Sequence, residues 1–296
     1  MLPTTIKKPA DLITSQQATV DGFIAQAIEK CRIARPYVQQ AQQLRESLNQ
    51  STDIHALIIN AALRDQLLAA AGLSDKARHW LSDDQQDRSL DRILGQLAAA
   101  GGDQWRDEIL FRFLLTRGDS LGGAMRNITG AAAGRKLVAS IIKALAARQI
   151  KPQLTKSPAG KVQYLRWPSR LLAFDKTPRF VGNNIDAILL RVDDDSLPDR
   201  DVLESPDSYL ACGELKGGID PSGADEHWKT ADSALDRIRE VFRNKQQVHM
   251  FFAGAAIEDA MAKEIYQQLL DGRMSFAANL TIRQQLSELA AWLVRL

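Results

Sequence analysis

The chain has 296 residues, a net charge of +2, 45% hydrophobic and 25% charged residues, which is enough for one large domain or two packed ones with ample core. Its two cysteines, Cys31 and Cys212, argue against a disulfide framework, exclude a cysteine-based zinc site by count and favour a reducing, cytoplasmic setting. No apolar run is long enough for a membrane span, and the opening MLPTTIKKPADL lacks a signal-peptide core.

Pro3 and Pro9 punctuate residues 1–15, which read as an irregular arm. From 16 to 49 the spacing of Val20, Phe23, Ile24, Ala27 and Ile28 predicts helix, with Pro36 expected to divide it or to start a second one. A helix over 53–71 puts Ile54, Leu57, Ile58, Ala61 and Leu68 on one face and ends near Gly72. SDKARHWL (74–81) is a short polar segment that brings Lys76, Arg78 and His79 close together. Helices follow over 89–99 and 105–115, and the Ala-rich, basic 124–149 predicts one long helix or two. Residues 1–150 thus read as an all-helical region.

Beyond Ile150 the pattern changes. Pro152, Pro158 and Gly160 suggest a linker, followed by short β pieces at 162–167 and 171–174. Strands at 185–192, 209–216, 248–252 and 274–280 then alternate with helices at 225–242, 257–270 and 283–294. That order predicts an α/β fold for 151–296, a mixed sheet with flanking helices.

The most informative stretch is CGELKGGIDPSGADEHWKT, Cys212 to Thr230. Glu214 and Lys216, at i and i+2 of a strand, share one face at its C-terminal end. A Gly-Gly turn and Asp220-Pro221 follow, and Ser222 with Asp225 has the spacing of a capping box for the next helix, where His227 lies early. Asp186, in the apolar run Ile185–Leu190, supplies a second carboxylate. Asp186, Glu214 and the main-chain carbonyl of Leu215 together suit an octahedral Mg²⁺, with Lys216 beside it to orient water and offset phosphate charge. Alone, E-x-K is a loose signal, since exposed strands carry such surface pairs by chance.

Charge is unevenly spread. Eleven Lys or Arg face one acid, Asp119, from Arg117 to Arg170, whereas eight acids face two arginines from Asp186 to Asp207. A basic tract beside an acidic metal region suits a phosphodiester substrate, although any single basic residue serves equally well as a solvated helix surface.

ELKGGIDPSGADEHWKT, Asp186 and the upstream TRGDSLGGAMRN (116–127) together resemble the AvaI/BsoBI family of type II restriction endonucleases. The resemblance implies a restriction-endonuclease-like core, a helical region that helps to enclose DNA, and Mg²⁺ as cofactor. It also implies a homodimer acting on palindromic duplex DNA of the C-pyrimidine-C-G-purine-G kind, cut to leave 5′ overhangs, with a cognate DNA methyltransferase protecting the host. Asp186, Glu214, Lys216 and His227 then form the catalytic set, with Asp186, Glu214 and the Leu215 carbonyl as metal ligands. Asp220 becomes a reader of a cytosine amino group, against its plain reading as a turn residue. Lys76 or Arg78 is the candidate for a guanine, and Arg126 and Asn127 either contact DNA or cap a helix. A lone helical histidine is more often structural, so His227 leans on its DEHWKT context. The competing readings are a structure-specific repair or recombination nuclease on the same core and a non-catalytic DNA-binding regulator. A phosphate-binding metabolic enzyme is disfavoured because a P-loop fingerprint is missing.

Overall fold

Two hydrophobic periodicities, one of two and one of three to four residues, divide the chain between sheet and helix. The computed structural model describes residues 2–158, 160–192, 199–243 and 247–296. The expected α/β core with a large N-terminal helical region is the architecture found, and it divides into two compact units, residues 1–24 with 128–296 and residues 25–127. Asp193, Asp194 and Asp195 of the acidic stretch lie outside the described residues.

The helices before the sheet are α1 (Gln16–Gln50), α2 (Ile54–Ile58), α3 (Arg64–Ala70), α4 (Asp75–Arg78), α5 (Asp83–Gly101) and α6 (Trp105–Ala146). Pro36 does not divide α1 but sits inside it. The bond that its missing amide denies the Arg32 carbonyl is lost on an exposed stretch, where water replaces it. The helix expected over 53–71 is instead broken: α2 stops at Ile58, and Asn60, whose side chain accepts from the Ala62 amide, starts a tight 3-10 turn before α3. The helix expected over 105–115 and the one or two expected over 124–149 are a single helix, running through five glycines from Gly118 to Gly134. Residues 128–146 of α6, read from sequence as part of the helical region, belong to the unit that contains the sheet.

That sheet has seven strands in sequence order: β1 (Gln153–Lys156), β2 (Val162–Trp167), β3 (Arg170–Lys176), β4 (Ile185–Arg191), β5 (Tyr209–Lys216), β6 (His249–Gly254) and β7 (Phe276–Asn279). β1 falls where a linker was expected. β1 to β5 pair antiparallel, and β5, β6 and β7 pair parallel. The short α7 (Asp199–Leu203) precedes β5, α8 (Ala224–Phe242) and α9 (Asp259–Leu270) connect the parallel strands, and α10 (Arg283–Arg295) closes the chain. Alternation along the strands yields two cores. Ile188, Leu190, Cys212 and Phe252 pack with Trp228, Leu235 and Ile265 of α8 and α9, while Leu189, Ala211, Phe251 and Phe276 pack with Leu137, Ile141, Leu289 and Leu293 of α6 and α10. The second unit has its own core around Leu44, Leu67, Leu94 and Phe113.

The N-terminal arm, expected to be irregular, instead forms a 3-10 turn over Pro9–Leu12, which the fixed φ of Pro9 starts, and it is firmly tied. Fully buried Asn279 donates to Leu12 O and Thr14 Oγ1, both at 2.8 Å, accepts from Thr281, and its own amide bonds Gln285 Oε1. Thr14 in turn donates to Ala255 O at 2.8 Å and accepts from the Ile257 amide. Truncation leaves several of these groups buried without a partner, so Asn279→Ala is expected to lose about 2 kcal/mol of stability in denaturant unfolding.

Candidate active site

Glu214 and Lys216 continue, at period two, the face of β5 that carries Cys212, and Asp186 precedes Ile188 and Leu190 on the matching face of β4. Because β4 and β5 are antiparallel, with Ala187 opposite Gly213, the start of β4 lies beside the end of β5. Three residues up to 30 positions apart thereby meet: Lys216 Nζ lies 2.9 Å from Glu214 Oε2 and 3.4 Å from Asp186 Oδ2. Asp186 Oδ2 also accepts from the Leu215 amide at 2.8 Å. In a strand the amide and carbonyl of one residue face the same neighbour, so the Leu215 carbonyl turns toward Asp186 as well.

The electrostatics are strained in a particular direction. Burial, and then the Asp186 charge, push the Glu214 carboxyl up to about 7 against the opposing pull of Lys216. Burial alone would lower the Lys216 ammonium, but Asp186 and Glu214 outweigh it and raise it. A single ammonium therefore does not make this pair of carboxylates comfortable. Two acids and a carbonyl short of positive charge are a fitting donor set for a hard divalent cation completed by waters. Among the described residues no group of three or more His, Cys, Asp or Glu is placed to hold a metal ion.

Two glycines explain how β5 reaches this position. A Cβ on Gly213 would overlap the Phe251 ring, and one on Gly217 would overlap the Thr129 carbonyl oxygen of α6. The second obstacle is backbone and cannot swing aside. Gly218, by contrast, faces open space.

The other candidates are placed as follows. Asp220 is exposed and caps a 3-10 turn (Pro221–Gly223), its Oδ1 accepting from the Ser222 amide at 2.9 Å and the Ser222 hydroxyl at 2.7 Å. The expected Ser222–Asp225 capping box does not form, because the 3-10 turn intervenes and Gly223 precedes α8 without a side-chain cap. His227 is exposed in the first turn of α8 and, among the described residues, makes no hydrogen bond or ion pair with Asp186, Glu214 or Lys216. In the second unit, Lys76 is exposed on α4, whereas the Arg78 guanidinium is committed to Asp75 and Asp65. Arg117 is buried between Tyr37 and Phe113 and reaches Asp75 at 3.3 Å. Arg126 and Asn127 lie in mid-α6 and so cap nothing. Asn184, 3.5 Å from Asp186 Oδ1, was not singled out from sequence, and its closeness to Asp186 along the chain was the only signal.

A carboxylate that binds its proton more tightly when folded reverses the usual acid dependence. Unfolded Glu214 releases its proton near 4.5 and the folded residue near 7, so stability falls as pH rises through that window. Metal-free wild type is therefore expected to lose thermal midpoint relative to Glu214→Gln between pH 5 and pH 8, and Mg²⁺ is expected to restore the wild type alone; parallel melts with and without chelator check this.

The family model described as restriction endonuclease BsobI matches residues 4–296. The chain is 36% identical to the type II restriction enzyme BsoBI of Geobacillus stearothermophilus, over 98% of this chain and 97% of that one. It is 37% identical to the type II restriction enzyme AvaI of Nostoc sp. and of Anabaena variabilis, over 98% of each chain. Similarity of this depth along the whole length settles the kinship suggested by Asp186 and ELKGGIDPSGADEHWKT: the chain belongs to the BsoBI/AvaI family of type II restriction endonucleases, which are site-specific deoxyribonucleases.

Proposed function

We propose that the protein hydrolyses both strands of a short palindromic duplex site by Mg²⁺-dependent, in-line attack of water on phosphorus, without a covalent intermediate. The observation that carries this reading is Lys216 Nζ lying 2.9 Å from Glu214 and 3.4 Å from Asp186 at the open end of β5. Asp186, Glu214 and the Leu215 carbonyl would hold the ion, which when bound would supply a water of lowered pKa and positive charge beside the phosphate. Lys216 donates to the attacking water or to a non-bridging phosphate oxygen, and Asp186 and Glu214 keep its ammonium charged and aimed. His227, exposed on the first turn of α8, accepts the proton from water or contacts phosphate.

Asp220 reads a cytosine amino group and Lys76 a guanine, within a site like C-pyrimidine-C-G-purine-G cut to leave 5′ overhangs. Lys76 is preferred to Arg78 because it makes no ion pair among the described residues. A two-fold symmetric site calls for a homodimer. Val20, Ile24 and Ile28, spaced by four along α1 and exposed by 44%, 54% and 66%, support a second copy as their cover. Residues 1–150 serve to embrace DNA and 151–296 to cut it, in the cytoplasm, where a cognate methyltransferase protects the host. No helix among the described residues is long and apolar enough to cross a membrane.

Digestion of a plasmid of known sequence with Mg²⁺ is expected to yield discrete fragments with identical 5′-extended ends, and Lys216→Ala to slow this by about 10²–10³-fold. Random nicking by the wild type would point to a structure-specific nuclease, and binding without cleavage to a regulator. Sedimentation is expected to show a dimer that Ile28→Asp weakens, with single-strand nicks replacing double-strand cuts.

A further inference from the structure

Asp220 presents an acid from an exposed turn, yet a base-reading carboxylate needs a fixed position. Among the described residues its carboxylate accepts hydrogen bonds through Oδ1 alone, both from Ser222, Oδ2 takes none, and His227 adds an electrostatic attraction without a bond. Where the carboxylate points thus depends on what fixes the backbone of residues 218–220. Gly217 is pressed against the Thr129 carbonyl, but Gly218 meets open space. The next side chain, Ile219, is buried, 5% exposed, and belongs to the core that contains Leu215 and Phe251.

What covers Ile219 is the backbone of α1. A Cβ added at Gly22 would overlap Ile219 Cγ1 and stand only 3.0 Å from its Cβ and 3.1 Å from its Cγ2. These are atoms near the root of a branched, buried side chain, so relief requires moving the Ile219 backbone, and Asp220 with it. Nor can α1 retreat freely, since Thr14, two residues before it starts, is bonded to Ala255, Ile257 and Asn279 at the ends of β6 and β7. The fold thus clamps the residue before Asp220 between the sheet core and a tied helix.

We propose that Gly22 and Ile219 are specificity-positioning residues: the close approach of α1 at Gly22 locks Ile219 and so sets where Asp220 delivers its free carboxylate oxygen to DNA, with Ser222 completing the hold. This rests on Asp220 being a base reader.

The test uses full-length protein and duplexes spanning the mapped cleavage site, with each base pair replaced in turn. Cleavage by wild type, Asp220→Ala, Gly22→Ala, Ile219→Ala and Ser222→Ala is compared as kcat and KM separately. Expected is a tenfold or greater loss of discrimination in Gly22→Ala at the base pair that Asp220→Ala relaxes, with wild-type discrimination elsewhere. Ile219→Ala and Ser222→Ala, which add no atoms, should relax the same position and serve if Gly22→Ala does not fold. Uniform slowing on every duplex, or an unchanged profile in all three while Asp220→Ala relaxes one position, overturns the clamp. If Asp220→Ala relaxes no position, the base-reading role itself falls and the clamp loses its purpose.

Discussion

The structure of this enzyme depends on two carboxylates held too close together in a partly buried place. Asp186 and Glu214 share one ammonium, that of Lys216, and burial makes the remaining negative charge costly enough to push Glu214 up to about 7. Hydrophobic packing alone does not favour this arrangement, and a divalent cation bound between the two carboxylates would relieve it. The energy to hold it comes from two flanking cores, in which alternating residues of β4 to β6 bury against α8 and α9 on one side and α6 and α10 on the other.

Geometry follows from the same requirement. An antiparallel β4–β5 pair brings the start of one strand to the end of the next, and parallel β5–β6 pairing buries the far edge of β5 so that only its end is open. Helix α6 crosses so near that only glycine fits at 217, and α1 so near that only glycine fits at 22. The turn between them, with Ile219 and Asp220, is therefore framed by backbone on both sides. In such a frame small changes of side-chain volume translate into changes of position.

Much of this was legible in the sequence, for reasons that differ by region. Strand β5 was bounded correctly because Tyr209 to Cys212 is apolar and Gly217-Gly218 ends it, and period two alone put Glu214 and Lys216 on one face. The meeting of Asp186 with both was inferred from an apolar neighbourhood and a chemical need, and β4 delivers it. Pro36 misled because its penalty is local and small on an exposed helix, while the rest of α1 carries the helix through. Asn60 was overlooked because a side chain competing for its own backbone leaves no periodicity to detect. The close approaches at Gly22 and Gly217 join residues nearly two hundred and nearly ninety positions apart along the chain, and nothing local announces them. The Ser222 capping box failed for the opposite reason: Asp220, two residues earlier, takes the Ser222 amide and hydroxyl first.

If one metal-dependent hydrolytic centre lies where β4 begins and β5 ends, an iron ion bound in place of Mg²⁺ will mark it. Replacing Mg²⁺ with Fe²⁺ and adding ascorbate and peroxide generates radicals at the bound ion that cut the nearby polypeptide backbone, and the cut positions locate it. Cuts confined to the neighbourhoods of Asp186 and Glu214 to Lys216, absent from an Asp186→Asn, Glu214→Gln double variant, are the result predicted. Cuts elsewhere in the chain, or a pattern unchanged in the double variant, would contradict it.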